Sequence, residues 1–276
     1  MKNNPKDLPL DTSALDTQEE EIRNSKFEIR NSSPIILALD TSSKTTSMAI
    51  TRGDRVLVTY KADFDETRSE RLWIEIESLL DSCDLKIKEV DLFAVCVGPG
   101  GFTGLRVGLA AAKGLAAAAG KPIVGVTSLE VLAFAGGPAP AACAMVAAYK
   151  GDLYSQLFSF DSDGLPVPAN GPMAGTLEET LARLSDLRPI LFVGFDAGSA
   201  IEDRAPAPGS WTALQPPECL AEPIARLARM RFVRGEVDTP ESLRACYVRQ
   251  AEAEINLAKG LLGSKIKRVL GREEPV

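Results

Sequence analysis

The sequence predicts an α/β fold assembled from two successive units of similar plan. Apolar runs of strand length alternate along the chain with segments of helical periodicity. Each half opens with an apolar strand, a polar turn and a second strand, and further strands then follow, separated by helices. Alternation of this kind places helices on the faces of a partly parallel sheet, and the repeated opening indicates a duplication.

The first unit begins with an apolar strand that ends at Asp40, and two more strands follow, turned at Gly53 and Asp54. Leu72 and Ile76 then recur at helical spacing, which predicts an amphipathic helix. The predicted elements are, in order, strands 34–39, 45–51 and 55–61, a helix 69–80, a strand 92–97, a helix reaching residue 119, a strand 122–126 and a short helix ending at residue 134.

A linker of glycine, alanine and proline over 136–140 separates the second unit from the first. The predicted elements of the second unit are strands 142–148, 153–160 and 190–193, followed by helices 220–234 and 240–243. The chain is thereby divided into an N-terminal extension 1–33, a first lobe 34–136, a second lobe 137–256 and a basic C-terminal tail 257–276. The extension is polar and repeats the pentapeptide E-I-R-N-S, which favours a disordered segment over a folded module.

Composition narrows the function classes. The chain has 276 residues and a net charge of −7, which argues against nonspecific nucleic-acid binding as its main activity. Five cysteines without a C-x-x-C pattern indicate reduced thiols and a cytoplasmic location. No apolar run is long enough to span a bilayer. Histidine is absent, which excludes an H-E-x-x-H zinc site, a Ser-His-Asp triad and a histidine general base.

The most informative motif is the glycine-rich block G-P-G-G-F-T-G-L-R-V-G at 98–108, between a predicted strand and a predicted helix. Gly104, Gly108 and Ala112 lie four residues apart and share one face of that helix. A glycine inside a helix costs about 1 kcal/mol relative to alanine, so the bare face indicates a close approach. Spacing alone leaves open whether that face meets a partner helix or a ligand, or packs inside the chain.

A second polar block, D-T-S-S-K-T-T-S at 40–47, follows the first strand. In a two-lobed phosphotransferase an aspartate here would approach magnesium, while hydroxyl and backbone N–H groups would meet phosphate. The candidate nucleotide-site residues are Asp40, Thr41, Ser42, Gly98, Gly100 and Gly101. The alternative is a polar turn whose side chains bond their own backbone. Neither the G-K-[ST] ending of a Walker motif nor G-x-G-x-x-G is present.

Five sequence blocks carry a resemblance to a known family. They are I-L-A-L-D-T-S-S at 36–43, R-S-E-R-L at 68–72, the glycine block at 98–108, K-P-I-V-G-V-T-S-L at 121–129 and Y-V-R-Q at 247–250. On these blocks the chain resembles the TsaB (YeaZ) family, the dimerisation subunit of the bacterial tRNA threonylcarbamoyladenosine synthase. The resemblance extends over about 34–254 and is strongest in the first lobe.

The resemblance implies the fold of actin, sugar kinases and heat-shock chaperones, with two ribonuclease-H-like lobes of which the second is degenerate. It also implies a noncatalytic subunit that binds and activates TsaD, a catalytic paralogue that transfers threonylcarbamoyl to the adenosine beside the tRNA anticodon. The resemblance further implies that TsaE, a small ATPase, joins the complex, and that this subunit reaches tRNA only through the complex. No catalytic residue, metal or resident cofactor is implied. Weak ATP or ADP binding at the subunit interface and a homodimer of the free chain are left open.

Family members pair with TsaD through helices of their first lobes, which gives the bare glycine face a purpose. The resemblance implies a partner interface formed by Leu72, Trp73, Ile76, Gly104, Leu105, Gly108 and Ala112. Replacing Gly108 by leucine is then expected to disrupt partner binding while the isolated chain stays folded.

Three positions depart from the family pattern. Arg68 stands where many relatives have histidine, and Ala245 replaces a proline common before the Tyr-x-Arg motif. In the second lobe, the residues at 147–149 replace the family's D-A-R. Because an aspartate there would help hold phosphate or metal, self-contained ATP chemistry is not expected.

Two alternative functions stay open at this point. A kinase-like, nucleotide-dependent phosphotransferase would use Asp40 as the carboxylate beside the metal, and it needs a second acid in the later lobe. Asp152 and Asp196 are the candidates for that acid, although each is equally consistent with a turn. A peptidase ranks lowest, because the chain has neither histidine nor a zinc pattern.

Overall fold

The computed structural model describes residues 33–63, 68–148, 151–186, 189–194, 199–207 and 210–248. These residues form two β-sheets covered by helices, so the predicted α/β fold is confirmed. The predicted basic tail lies outside the described residues, as does all of the predicted extension except Ser33. The lobe boundaries inferred from the sequence stay predictions.

The first sheet has five strands: β1 (Ile35–Asp40), β2 (Thr45–Arg52), β3 (Arg55–Asp63), β4 (Leu92–Gly98) and β5 (Ile123–Thr127). Their order is β3-β2-β1-β4-β5. Neighbours among β1, β2 and β3 are antiparallel, whereas β1, β4 and β5 run parallel. Every residue of β1 and β4 is buried, which explains their continuous apolar runs.

Three helices cover this sheet: α1 (Arg68–Asp81), α2 (Phe102–Ala119) and α3 (Ser128–Gly136). α1 and α2 pack on one face, where Leu72 and Ala112 share a core with Phe93 of β4. α3 packs on the opposite face, against a cluster that includes Ile36. Thr127 caps α3 by accepting a hydrogen bond from the Glu130 N–H at 3.1 Å.

The second sheet contains β6 (Ala142–Ala147), β7 (Leu153–Phe160), β8 (Pro166–Pro168), β9 (Met173–Gly175), β10 (Ile190–Gly194) and β11 (Trp211–Leu214). Its order is β11-β10-β6-β7-β8, and β9 pairs with β7. Taken from the other end, β8-β7-β6-β10-β11 repeats the order and the directions of the first sheet. The predicted duplication is therefore confirmed. Its helices α4 (Leu177–Arg183) and α5 (Ser199–Glu202) are shorter than α1 and α2.

The last described helix, α6 (Ala221–Val233), follows the second sheet in sequence but packs on the first. Ile224 and Leu227 are fully buried in the cluster that contains Ile36 of β1. The Ala221 N–H donates to the Ser47 hydroxyl of β2 at 3.1 Å. The helix predicted over 220–234 is confirmed, and it completes the face of the first sheet that α3 covers in part.

After α6 the chain runs along the free edge of β5, and we call residues 238–247 the C-terminal strap. The Asp238 N–H donates to the Ile123 carbonyl at 2.8 Å, and Asp238 Oδ2 accepts from the Gly125 N–H at 2.9 Å. Arg231 Nη1 donates to the Gly125 carbonyl at 3.0 Å. These bonds satisfy backbone groups that an edge strand would otherwise expose.

The strap then crosses the ends of β5 and β4. Leu243 packs over Gly125, where a β-carbon would collide with the leucine side chain. The Cys246 N–H donates to the Val97 carbonyl of β4 at 2.7 Å. The helix predicted over 240–243 was wrong: the structure has a single turn there, and the chain continues without regular structure toward β4.

Candidate functional site

Polar residues gather at one edge of the first sheet, where the parallel strands β1, β4 and β5 end. Asp40 is the last residue of β1, the glycine loop (residues 98–101) begins at the end of β4, and Ser128 follows β5. The Ser128 hydroxyl donates to the Pro99 carbonyl at 2.6 Å. Open α/β sheets bind ligands at the carboxyl ends of parallel strands, so the predicted nucleotide site would lie at this edge.

The Asp40 turn and the glycine loop are bonded to each other. Within the turn, Asp40 Oδ1 accepts from the Ser42 N–H at 2.9 Å. The Ser42 carbonyl accepts from the Gly101 N–H at 2.6 Å. Gly100 lies so close to Ser42 that any β-carbon there would collide with the Ser42 carbonyl oxygen. The structure thus brings together the two polar blocks that the sequence singled out.

Cys96 of β4 lies beside this turn. Burial raises the pKa of the Cys96 thiol well above its usual range, and the nearby Asp40 carboxylate raises that pKa further. The Cys96 residue is 1% exposed. A thiol held neutral and out of solvent is a packing group and not a nucleophile.

At the Asp40 turn and the glycine loop, two backbone N–H groups are already bonded within the chain. A phosphate needs backbone N–H donors that point into open space. Here the N–H groups of Ser42 and Gly101 donate to oxygen atoms of this chain, and Asp40 is 2% exposed. The geometry supports the alternative reading, a polar turn that bonds its own backbone. A nucleotide role for Asp40 stays a prediction.

The matching edge of the second sheet holds few polar side chains among the described residues. Ala147 ends β6 and is exposed, and the Ala148 N–H donates to the Asp152 carbonyl at 2.8 Å across the hairpin. Tyr149 and Asp196 lie outside the described residues. Within the described ranges, no group of three or more histidine, cysteine, aspartate or glutamate side chains could hold a metal ion.

The bare face of α2 packs inside the chain, against Thr41. The Thr41 hydroxyl donates to the Gly104 carbonyl at 2.7 Å. A β-carbon on Gly108 would collide with Thr41 Oγ1 and lie 3.1 Å from Thr41 Cβ. Ala112 is fully buried in the adjoining core. This face of α2 therefore packs inside the chain. The expectation that the isolated chain stays folded with leucine at Gly108 is corrected, because the larger side chain would collide with Thr41 and destabilise the isolated chain.

The other residues predicted for a partner interface divide between core and surface. Leu72, Ile76 and Leu105 are 0%, 3% and 1% exposed. Trp73 is 49% exposed on α1. Since buried side chains present no surface to a partner, Trp73 is the one residue of the predicted set that the folded chain exposes substantially.

A second stripe of small residues, which the sequence reasoning missed, faces outward from α2. Thr103, Ala110 and Gly114 are exposed and Val107 is half-buried, at spacings of three and four residues. A β-carbon on Gly114 would meet no atom within 4 Å. The spacing of these residues is visible in the sequence. Because the buried stripe has the same helical period, spacing alone does not show which stripe faces outward.

The outer stripe lies on the side of α2 nearer to α1. The C-terminal strap lies along the opposite side of α2, where Lys113 Nζ donates to the Leu243 carbonyl at 3.2 Å. On α1, Glu75 hydrogen-bonds Tyr60 of β3. Trp73 is two residues from Glu75, about 200° around the helix, and so lies on the flank toward α2. These directions place Trp73 and the outer stripe on flanks of α1 and α2 that are turned toward each other, and we call the surface between them the partner groove.

An ion pair with a buried carboxylate joins α3 to α6. The Arg231 guanidinium donates to the Glu130 carboxylate, and Glu130 is 6% exposed. Burial raises the pKa of the Glu130 carboxyl above its usual value, and the positive charge of Arg231 offsets part of that rise. With the bond from Arg231 to Gly125, the pair anchors the last described helix to the first sheet.

Two lobes that repeat one strand order, antiparallel on one side and parallel on the other, define the class: a two-lobed protein of the actin and sugar-kinase type, built from ribonuclease-H-like lobes. The chain is similar to the solved structure of YeaZ from Pseudomonas aeruginosa, with a TM-score of 0.61 and 25% identity over 78% of this chain and 99% of that one. A second Pseudomonas aeruginosa structure, of a protein with similarity to peptidase YEAZ, gives a TM-score of 0.64 and 26% identity over 78% and 100%.

Sequence comparisons narrow the class to a family. A family model described as TsaD, tRNA N6-adenosine threonylcarbamoyltransferase, matches residues 65–164. The tRNA threonylcarbamoyladenosine biosynthesis protein TsaB of Bacillus subtilis is 34% identical over 164 residues, 58% of this chain and 71% of that protein. TsaB of Haemophilus influenzae is 36% identical over 99 residues, 36% of this chain and 41% of that protein. The chain belongs to the TsaB family.

None of the described helices combines the length and the apolar composition needed to cross a bilayer.

Proposed function

We propose that this chain is a noncatalytic partner subunit that binds and activates a TsaD-like catalytic paralogue. The complex would transfer threonylcarbamoyl to the adenosine beside the anticodon of tRNA. Family membership supports the pathway, because TsaB relatives from Bacillus subtilis, Haemophilus influenzae and Escherichia coli carry its name. The observation that carries the partner role is the partner groove on the first lobe.

The partner groove has the chemistry of a helix-binding surface. Its α2 wall is nearly bare at Ala110 and Gly114, so the backbone of a partner helix can approach closely. Its α1 wall presents Trp73, and the next residue, Ile74, is 65% exposed. Exposed large apolar side chains mark an interaction surface, and tryptophan is enriched among residues that dominate binding energy.

The same proposal includes the remaining partners. A TsaE-like ATPase joins the complex, tRNA is modified by the complex as a whole, and the chain acts in the cytoplasm. A homodimer of the free chain through the partner groove would compete with the catalytic paralogue, because one surface cannot serve both partners at once.

An omit-one reconstitution tests the proposal. The TsaD-like and TsaE-like proteins, unmodified tRNA and a source of threonylcarbamoyl-adenylate are incubated with and without this chain, and modified adenosine is measured by mass spectrometry. We expect modification only when this chain and the TsaD-like protein are both present. Equal modification without this chain would refute the partner role. Nucleotide hydrolysis by the isolated chain would instead favour the phosphotransferase alternative.

A matched pair of glycine variants tests the partner groove itself. Gly114→Trp fills the groove, and Gly171→Trp adds the same side chain on the second lobe, where a β-carbon also meets no atom within 4 Å. We expect Gly114→Trp to weaken binding of the TsaD-like protein by tenfold or more, about 1.4 kcal/mol, and Gly171→Trp to leave it unchanged. Wild-type affinity in Gly114→Trp would exclude the groove as the interface.

A further inference from the structure

An aromatic and cationic flank runs along α2 on the side turned away from α1. Phe102 is 37% exposed and Tyr247 of the strap is 46% exposed, with ring centroids 5.3 Å apart. The Arg106 guanidinium carbon lies 3.7 Å from the Phe102 ring centroid, and Arg106 Nε donates to the Tyr247 hydroxyl at 3.2 Å. These contacts hold two rings and a cation together at the surface.

Two more cations continue the flank toward the end of α2. Lys113 Nζ and Arg244 Nη1 both donate to the Leu243 carbonyl, at 3.2 Å and 3.0 Å. In the part of the chain that the structure describes, neither of them forms an ion pair with a carboxylate, and nor does Arg106. Like charges that converge on one carbonyl without a neutralising acid create a local positive potential that favours an anion.

The dimensions and the mixed chemistry select the kind of anion. Phe102 and Lys113 are eleven residues apart on one helix, about 16 Å, which is longer than a single small anion requires. Aromatic faces beside unpaired cations are the combination that binds single-stranded nucleic acid, in which bases stack on rings and phosphates meet the positive charges. We propose that this flank, formed by Phe102, Arg106, Lys113, Arg244 and Tyr247, binds a single-stranded segment of RNA.

The choice of RNA rests on the proposed function in tRNA modification. The site would give this subunit its own contact with the substrate, in contrast to the sequence-based expectation that tRNA is reached only through the complex. It is consistent with the net charge of −7, because a local cationic flank on an acidic chain confines RNA to one surface.

Fluorescence anisotropy of the full chain with a fluorescein-labelled single-stranded oligoribonucleotide at low salt tests the proposal. Tyr247→Ala is expected to weaken binding at least about fivefold, the loss of one stacked base, and Tyr247→Phe to keep it. Arg106→Glu is expected to weaken binding about tenfold and to make the salt dependence shallower. Arg226→Glu is the matched control, because Arg226 is exposed on α6, away from this flank. The affinity of this variant for the oligoribonucleotide should equal that of the wild type.

Three outcomes would overturn the site. They are no binding by the wild-type chain, equal weakening in Arg106→Glu and Arg226→Glu, and equal affinity for a duplex of the same sequence, which hides its base faces. Unfolding curves verify that each variant is folded. RNA binding is measured on the chain alone and partner binding with Gly114→Trp, so either proposal can fail while the other stands.

Discussion

Two glycines of α2 are expected to respond in opposite directions to the same added methyl group. In Gly108→Ala, the β-carbon collides with the hydroxyl of Thr41, which is fully buried. Overpacking costs about 1–3 kcal/mol, and loss of the bond from Thr41 to the Gly104 carbonyl adds about 1 kcal/mol. The helix propensity of alanine returns about 1 kcal/mol, which leaves a net loss of about 1–3 kcal/mol.

In Gly114→Ala the propensity gain acts alone, because the new methyl group meets no atom within 4 Å. The expected gain is about 0.5–1 kcal/mol, so the free energies of unfolding of the two variants should differ by about 1.5–4 kcal/mol. Urea unfolding of both variants and the wild type, followed by circular dichroism, measures the free energies of unfolding. Equal stability of Gly108→Ala and the wild type would refute the internal packing of the buried stripe.

Three further outcomes follow from buried groups. The pKa of Glu130 is raised in the folded state, so the folded chain binds more protons there than the unfolded chain. The free energy of unfolding should therefore fall as the pH rises from 4.5, the usual pKa of a glutamate carboxyl, through the folded pKa. Glu130→Gln should remove that part of the pH dependence in unfolding curves measured across this range. Burial raises the pKa of Cys143 to about 12 and that of Cys96 well above its usual range, so iodoacetamide at pH 8 should modify neither thiol until urea unfolds the chain, as peptide mass spectrometry would show. Leu243→Ala should lower the free energy of unfolding by about 2–4 kcal/mol and speed amide exchange at Gly125, whereas unchanged exchange would show that Leu243 does not hold the strap down.

The sheets could be predicted from the sequence because buried parallel strands appear as continuous apolar runs. β1 and β4, buried at every residue, are the clearest cases. β8 and β9 have three residues each, which is too short for any periodicity to be detected. The turn over 240–243 was mistaken for a helix because its few apolar residues contact distant strands and not a local helix face.

The candidate site was predicted in composition but not in orientation. Both small-residue stripes of α2 have helical spacing, and only the tertiary contact from Thr41, 63 residues before Gly104, distinguishes the inner stripe from the outer one. Leu72 and Trp73 are adjacent apolar residues, and the fold buries one and exposes the other. The flank around Tyr247 joins residues 141 positions apart in the sequence, which no local pattern encodes.

The cover that α6 and the strap give to the first sheet has a consequence for the order of events during synthesis. β5 leaves the ribosome long before residues 221–246, so its free edge stays unpaired while the whole second sheet is made. The part of the sheet face that α3 leaves uncovered stays bare over the same time. A nascent chain that stops at the linker would present an unpaired strand edge, the feature through which chains aggregate. Although each lobe repeats one strand plan, the first sheet is fully covered only after residues 221–246 have been made.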